Sequence, residues 1–308
     1  MTQTTGDRRL ERLVQRLYPY SKLLRAWELA GGISAQTTAL EALLADGRQE
    51  KIIARWPGNG AAEREFRTLQ AVRAAGIAAP APLLLDVAGD PCSGPAILIE
   101  YIEGKPDYAP ADPAGFVAQM AEQLAAIHRL SGSHPSLSLL TPQTERLSRQ
   151  LARRSARLDG SLDEGRIRAA LEAAWPLPQP AEPALLHGDF WPGNILWREG
   201  RIAGVVDWED AEIGHPLGDL AVTRLDLLWT CGVEAMHVFT RHYQALTGAD
   251  LSDLPYWDLI AALRPAGRLV EWAAIWPKFG REDITTKTMT EGHRFFVAQA
   301  FEELARRG

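Results

Sequence analysis

Two short apolar runs joined by a tight turn place the strongest constraint on how this chain folds. Residues 194–197 read NILW, residues 201–206 read RIAGVV, and Glu-Gly lies in the link between them, which predicts a β-hairpin. Asn194 precedes the first strand and Asp207 follows the second. In an antiparallel pair these positions lie at the same open end, where paired Cα atoms are about 4.5–5.5 Å apart. An amide oxygen and a carboxylate so placed, with room for water and phosphate oxygens, suit Mg²⁺.

The loop before the hairpin, HGDFWPGN, carries a further oxygen donor. Asp189 lies five residues before Asn194, so it can face the same cavity without being a required metal ligand. A carboxylate in this place can orient an incoming hydroxyl and accept its proton. We expect the neighbouring His187 to be a buried histidine that bonds to the backbone rather than a catalyst.

The spacing of these residues is more informative than any one of them. Alone, Asp189 could cap a loop, Asn194 could be a turn residue and Asp207 could cap the segment that follows. Together they form H-x-D, an Asn five residues after the Asp, and a strand-terminal Asp thirteen residues after the Asn. This order reproduces the catalytic and metal-binding loops of protein kinases.

HGDFWPGNILW, taken with VVDWEDAEIGHPLGDLA, resembles the aminoglycoside phosphotransferase superfamily, which also contains choline, homoserine and fructosamine kinases. The resemblance covers the chain from about residue 25 and is most specific over 185–220. It implies an α+β, two-lobed, protein-kinase-like fold with a small antiparallel β-sheet N-lobe and a mainly α-helical C-lobe. It also implies transfer of the γ-phosphoryl group of ATP, or sometimes GTP, to a hydroxyl of a small molecule.

The same resemblance implies roles for individual residues. Asp189 is expected to be the catalytic base, and Asn194 and Asp207 are expected to bind Mg²⁺. Asp219 matches the family's acid in the GDL(A) segment, which supports the catalytic loop. An equally good explanation makes Asp219 the N-cap of the following helix, and the two explanations are compatible.

The first third of the chain is rich in short apolar runs and predicts a small β-rich unit. We expect an N-terminal nucleotide-binding lobe over 1–103 and a C-terminal catalytic and acceptor-binding lobe over 104–308. The expected strands of the first lobe are 26–31, 36–44, 49–56 and 94–104, with a helix over 61–75. The expected helices of the second lobe are 113–130, 142–158 and 163–174, followed by helical sequence from 219 to the end, with a kink at Pro265.

Nucleotide-binding candidates lie in the first lobe. Ser34 and the backbone of GGISAQT, at the first strand turn, are expected to contact phosphate. Matching IIARWPG to the family pattern places Arg55 at the phosphate-binding position, where protein kinases use Lys. Lys51 shares the strand face but lies roughly 13 Å away, so the two cannot serve one spot, and which of them contacts phosphate stays open.

Two further positions complete the predicted nucleotide site. Glu65 shares a helix face with Leu69 and Val72, so we expect Glu65, rather than Glu63, to pair with Arg55. Glu100 and Ile102 end the buried strand before Gly104. In the family this is the hinge whose main-chain groups bond to the adenine edge.

The sequence leaves the acceptor open. Glu209, Asp210 and Glu212 follow the predicted metal aspartate and favour a cationic acceptor such as an amino sugar or an amino alcohol. Arg264 and Arg268 are spaced to share a helix face and would favour an anionic acceptor. These expectations conflict. Two other classes also remain: a nucleotide-binding module with little transfer activity, and a metal-dependent hydrolase that uses His187 and His215 with Asp189.

Composition restricts the partners. The net charge of −6 argues against long-range attraction to nucleic acid or to an anionic membrane. The two cysteines, Cys92 and Cys231, have no metal-like spacing and fit a reducing compartment. The N-terminus lacks the apolar core of a signal peptide. We therefore expect a cytoplasmic protein without nucleic-acid or membrane partners, and the sequence does not give its oligomeric state.

Overall fold

The structure of the chain is a computed structural model that describes residues 5–29, 36–58, 61–90, 94–153 and 158–306. Ser34, the predicted phosphate-loop residue, lies outside the described residues. The chain divides into two compact units. The first comprises 1–104, 135–139 and 203–209, and the second comprises 105–134, 140–202 and 210–308.

The first unit is built on a five-stranded antiparallel sheet with the strand order β1-β2-β3-β5-β4. Its helices and strands are α1 (Thr5–Leu17), β1 (Lys22–Glu28), β2 (Gln36–Leu43), β3 (Gln49–Trp56), α2 (Ala61–Ala74), β4 (Pro82–Asp90) and β5 (Gly94–Glu100).

Side-chain alternation along β3 decides where Arg55 points. Ile52, Ala54 and Trp56 pack in one buried cluster with Leu13 and Val14 of α1. Because successive residues of a strand face opposite sides of the sheet, Ile53 and Arg55 face the other side. There α2 packs against β4 and β5, so Arg55 is directed toward this helix.

The predicted strands and the helix of this unit are present, with one omission. β4 was not expected, since Pro82 and Gly89 interrupt its apolar pattern and both are uncommon inside strands. The sheet tolerates Pro82 because it is the first residue of an edge strand, where its missing N–H costs no interior ladder bond.

The second unit is mainly helical and contains three short strands and the beginning of a fourth. Its helices are α3 (Pro113–His128), α4 (Gln143–Ala152), α5 (Glu164–Ala174), α6 (Leu217–Cys231), α7 (Val233–Thr247), α8 (Leu254–Ala262), α9 (Leu269–Ala273) and α10 (Thr286–Ala305). Its strands are β6 (Ala184–Leu186), β7 (Ile195–Arg198) and β9 (Glu212–Gly214), and β8 (Arg201–Val205) runs on into the first unit.

The predicted hairpin is present as β7 and β8. Its two turn residues, Glu199 and Gly200, have φ angles of 53° and 73°. Positive φ at both central residues is typical of a type I′ turn, whose twist matches that of the flanking strands. Asn194 directly precedes β7, and Asp207 lies two residues beyond β8.

Local sequence determines where the helices of this unit begin and end. Pro113 occupies the first turn of α3, and the Asp112 carboxylate caps it by accepting from the Gly115 N–H at 3.0 Å.

The kink expected at Pro265 is wrong, because α8 ends at Ala262 and Pro265 lies in the connection to α9. Arg264 and Arg268 therefore lie in that connection and do not share a helix face.

A buried ion pair joins the helices of this unit. Arg224 of α6 donates to both carboxylate oxygens of Asp258 on α8, at 3.0 Å each, and also to the Thr240 hydroxyl on α7. The side chains of Arg224 and Asp258 are 4% and 3% exposed. Burial raises the pKa of Asp258 to about 6, against the opposing attraction of Arg224. Burying either charge without the other would cost several kcal/mol of folding free energy.

No helix in the described ranges has both the length and the apolar character that crossing a lipid bilayer requires.

Replacing one member of the buried pair is expected to be strongly destabilising. Arg224→Met leaves the Asp258 carboxylate buried without its cation, a change that costs about 3–5 kcal/mol. Urea unfolding measures the loss. The control is Arg241→Met, since Arg241 pairs with Glu234 at the surface and such pairs contribute about 1 kcal/mol or less. Equal losses in the two variants would contradict the assignment.

Candidate functional site

In the first unit, Arg55 lies at the centre of a cluster of carboxylates. Its side chain is 8% exposed, and its Nη2 donates to Asp207 Oδ1 at 2.7 Å. Its Nε lies 3.2 Å from Glu65 Oε1, and its Nη2 lies 3.4 Å from Glu209 Oε2. The predicted pairing of Arg55 with Glu65 is therefore present. Lys51 lies apart from this cluster and pairs with Glu103 at 2.7 Å.

This cluster holds more negative than positive charge. Burial raises the pKa of Glu65 to about 7, partly opposed by the attraction of Arg55. Burial alone would lower the pKa of Arg55, but its attraction to Glu65, Asp207 and Glu209 raises it above the ordinary value. Arg55 bonds to Asp207 Oδ1, and no described residue hydrogen-bonds to the second carboxylate oxygen. The surplus of carboxylates suits a cation at this place.

The backbone around Asp207 is fixed in an uncommon conformation. Asp207 has a φ of 69°, in the left-handed region that costs a non-glycine residue about 1–3 kcal/mol. Trp208 is buried, and its indole N–H donates to the Val205 carbonyl at 3.0 Å. The Val205 N–H in turn donates to the Ala78 carbonyl at 2.8 Å. These contacts hold the D-W-E segment in place against the strain.

The two predicted hinge residues lie at the end of β5. The carboxylate of Glu100 accepts from the Ala81 N–H at 3.0 Å, and the Glu100 N–H donates to the Ala81 carbonyl at 2.9 Å. Ile102 lies beyond the strand, and its side chain packs where a Cβ on Gly204 would lie. Their expected contact with adenine stays a prediction.

In the second unit, Asn194 orders the carboxylate of Asp189. The side-chain amide of Asn194 donates to Asp189 Oδ2 at 3.1 Å and to the Asp189 carbonyl at 2.9 Å. Asn194 is 8% exposed. Both of these bonds use the amide nitrogen, so the amide oxygen is left to coordinate a cation.

Asp219 supports the backbone of this loop. Its Oδ2 accepts from the His187 N–H at 2.6 Å, and its Oδ1 accepts from the Gly188 N–H at 2.9 Å. His128 Nε2 lies 3.2 Å from Oδ2. Burial alone would raise the pKa of Asp219, but these hydrogen bonds and the nearby histidines lower it. The supporting contact is thus present, and the N-cap explanation is wrong because Asp219 lies inside the first turn of α6.

His187 and Gly188 of the loop both have a structural role. His187 is fully buried, and its Nδ1 accepts from the Asp189 N–H at 3.3 Å, so it is the backbone-bonded histidine that was expected. Gly188 has a φ of 82°, and a Cβ there would lie 2.2 Å from the Asp210 carbonyl oxygen. Only glycine fits this position.

Arg264 contacts Asp189 directly, a role that sequence reasoning missed. Its Nη2 forms an ion pair with Asp189 Oδ1, and its Nη1 lies 3.7 Å from Asp226 Oδ2. Burial raises the pKa of Asp226 to about 7, partly opposed by Arg264. The sequence did contain one sign of an acidic surface on α6 that a cation could face. Asp219 and Asp226 are seven residues apart and therefore share a face of that helix.

The sequence matches the family described as Phosphotransferase enzyme family (APH) over residues 28–274, which is most of the chain. The chain belongs to this phosphotransferase family. The matched range contains both the Arg55 cluster and the Asp189 loop.

Curated relatives match part of the phosphotransferase chain. Acyl-CoA dehydrogenase family member 11 of Rattus norvegicus is 27% identical over 235 residues, which cover 65% of this chain and 29% of that protein. Homoserine kinase of Rhodospirillum rubrum is 28% identical over 201 residues, which cover 59% of each chain. The chain thus spans less than a third of the first relative's length.

Solved structures of other phosphotransferases share the fold. A Ralstonia eutropha protein assigned to the aminoglycoside phosphotransferases superposes with a TM-score of 0.67 at 17% identity and covers 98% of both chains. A mutant of aminoglycoside phosphotransferase APH(4)-Ia, in complex with AMP-PNP and hygromycin B, gives 0.62 at 16% identity, with 94% of this chain and 98% of that chain covered. The predicted α+β, protein-kinase-like fold class is therefore confirmed.

Two of the three acids expected at an acidic mouth are already paired in the phosphotransferase. Glu209 lies in the Arg55 cluster. Glu212 accepts from Arg146 through both carboxylate oxygens, at 2.8 Å each, and its side chain is 5% exposed. Neither carboxylate is left as a free charge for a cationic acceptor.

The buried Asp226 is expected to make stability depend on pH. Its folded pKa of about 7 exceeds the ordinary value of 3.8. Its contribution to stability is therefore full below about pH 4 and is lost as the pH rises through about 7. Asp226→Asn removes this loss, so the variant should gain stability relative to wild type between pH 5 and pH 8, measured by urea unfolding. Asp46→Asn, at an exposed carboxylate, is the control. Parallel curves for Asp226→Asn and wild type would contradict the raised pKa.

Proposed function

We propose that the chain is a small-molecule kinase that moves the γ-phosphoryl group of ATP or GTP to a hydroxyl, with Mg²⁺ as the cofactor. The observation that carries the proposal is the ordered carboxylate of Asp189. Asn194 bonds to one of its oxygens, and Arg264 bonds to the other. The Asp219 carboxylate holds the loop backbone beneath it. A carboxylate held in one orientation suits a group that must align a single acceptor hydroxyl for reaction.

In the proposed reaction, Asp189 positions the acceptor hydroxyl and takes its proton. The hydroxyl oxygen attacks the γ-phosphorus, and the bond from that phosphorus to the β-phosphate oxygen breaks. The products are the phosphorylated acceptor and a nucleoside diphosphate. Little of the catalysis is covalent chemistry by the protein, and most of it is positioning and charge neutralisation.

Arg55 is the proposed phosphate ligand on the nucleotide side. Its guanidinium is held by Glu65, and a planar guanidinium can bind phosphate oxygens in a bidentate manner. Ser34 and the main-chain groups of Glu100 and Ile102 complete the proposed nucleotide site, on the strength of the sequence resemblance alone.

Asn194 and Asp207 are the proposed Mg²⁺ ligands. Among the residues that the structure describes, protein contacts leave one oxygen of each side chain unused, and an amide oxygen with a carboxylate oxygen suits this cation. When bound, Mg²⁺ neutralises charge on the phosphate oxygens during transfer. The surplus of carboxylates around Arg55 is consistent with an added cation.

The names of similar proteins support a small-molecule acceptor. A homoserine kinase is among the relatives, and one solved neighbour binds AMP-PNP and hygromycin B. Amino sugars, amino alcohols and amino acids with a hydroxyl are therefore acceptors to test. The cytoplasmic location expected from the sequence is part of this proposal.

The rival classes have less support. The nucleotide-binding module would not need a carboxylate ordered from both sides. For the hydrolase, His187 and His215 each use Nδ1 to accept a local backbone N–H. Within the described ranges, no three His, Cys, Asp or Glu side chains lie together as a metal site.

Asp189→Asn tests the catalytic assignment. The variant keeps the shape of the side chain and loses the base, so acceptor-dependent release of ADP should fall by about 10²–10⁴-fold. Calorimetry should find the affinity for the Mg²⁺ complex of the nucleotide nearly unchanged. The exposed Asp46→Asn serves as the control. Turnover by Asp189→Asn within a few-fold of wild type would remove Asp189 from the mechanism.

Arg55 and Lys51 can be separated as phosphate ligands. Arg55→Lys keeps a cation beside Glu65 but loses the bidentate fork, and we expect the KM for the nucleotide to rise about tenfold. Lys51→Ala breaks a surface pair with Glu103 and should leave this KM within about twofold of wild type. Steady-state kinetics with varied nucleotide gives both values. The reverse pattern would assign the phosphate contact to Lys51.

A further inference from the structure

A large cavity opens in the second unit, beside the connection that carries Arg264. Its volume is about 1380 Å³, larger than the roughly 300–1,000 Å³ of common small-molecule sites. Its walls come from α4, from α5, from residues 158–161 and from the α8–α9 connection. All of its lining residues belong to the one compact unit.

The charged residues of this wall are mostly basic. Four arginines and two carboxylates line the cavity, namely Arg146, Arg149, Arg153, Arg168, Asp159 and Glu164. The chain as a whole has a net charge of −6, so the excess of positive charge is local. Arg146, Arg149 and Arg153 follow one another at intervals of three and four residues and so share one face of α4 and its end.

Two of these arginines are already neutralised, and two keep donors for a ligand. Arg146 pairs with Glu212, and Arg168 pairs with Glu164 at 2.8 Å. Arg149 comes no closer than 3.7 Å to Glu145, and its side chain is 64% exposed. Arg153 is an exposed residue at the end of α4. Like charges at such spacing repel one another, and a bound anion would relieve that repulsion.

The cavity and Asp189 are connected through the segment between α8 and α9. Leu263, Ala266 and Gly267 line it, and Arg264, between them in sequence, forms the ion pair with Asp189. Arg146, which also lines the cavity, is close enough to Arg264 for their positive charges to repel. The segment that forms one wall of the cavity therefore also supplies the guanidinium that bonds to Asp189.

We propose that the acceptor is a hydroxyl-bearing acid whose carboxylate or phosphate group binds Arg149 and Arg153 in this cavity. The proposal rests on the proposed function, because it assigns the hydroxyl of the same molecule to Asp189. A cationic acceptor fits less well, since Glu209 and Glu212 are engaged by Arg55 and Arg146. The anionic group takes no part in the bond changes; it is bound at the arginines before and after transfer.

The first experiment compares acceptors that differ only in charge. Straight-chain hydroxy acids, their methyl esters and amino alcohols of matching length are assayed by acceptor-dependent release of ADP, and glycerol phosphate represents the phosphate class. The hydroxy acids or glycerol phosphate should have at least tenfold higher kcat/KM than the esters and the amino alcohols. Equal or better turnover of the neutral or cationic compounds overturns the proposal.

The second experiment tests the two arginines. In Arg149→Ala and Arg153→Ala, the KM for the best acid should rise about tenfold, the usual result of losing one charge-assisted contact, and further in the double variant. The KM for the nucleotide and the turnover of the matching ester should not change. The control is Arg241→Ala, since Arg241 is also 64% exposed and lies on α7. An unchanged KM for the acid in the double variant overturns the proposal.

Direct binding separates this inference from the proposed function. Calorimetry with the same hydroxy acids and glycerol phosphate needs no turnover. Binding by wild type that is lost in the double variant supports the anion site, even if no compound in the panel is phosphorylated. In that case the kinase proposal and the assignment of the hydroxyl to Asp189 fail, and the anion site stands. Absent binding, or binding that the double variant retains, overturns the anion site itself.

Discussion

The carboxylate of Asp219 is the contact on which the second unit's candidate site depends. A buried ionised carboxylate is costly unless its oxygens accept hydrogen bonds, and Asp219 accepts from the consecutive backbone N–H groups of His187 and Gly188. His128 Nε2 lies 3.2 Å away, and the Tyr243 hydroxyl lies 2.7 Å from the other ring nitrogen. A chain of buried groups from three helices thus fixes the direction in which Asp189 leaves the loop.

In each unit, an arginine side chain partly neutralises a group of carboxylates. Arg55 is placed among Glu65, Asp207 and Glu209, and Arg264 is placed between Asp189 and Asp226. A planar cation with several donors can serve more than one carboxylate at once. Each cluster contains more carboxylates than guanidinium groups, and the pKa of one buried acid in each, Glu65 and Asp226, is raised to about 7.

Local patterns were sufficient to predict most of the elements. Short apolar runs identified β2 and β3, helical spacing identified α2 and α3, and Glu-Gly between two apolar runs identified the β7–β8 turn. The prediction failed where the determining partner is distant in sequence. β4 is a strand because β5 pairs with it, although its own Pro and Gly weaken the pattern. Pro265 does not bend a helix, because α8 already ends at Ala262 and α9 begins only at Leu269.

The sequence by itself determined the H-x-D loop, the hairpin after it and the helix face that gives Glu65 to Arg55, because each depends on residues within one or two elements. Only the tertiary structure decided that Arg264 bonds to Asp189 and that Arg146 pairs with Glu212, since these partners are 75 and 66 residues apart. Local spacing carries no information about such pairs. They exist because burying a charge requires an opposite charge, and only the packed helices determine which one is near.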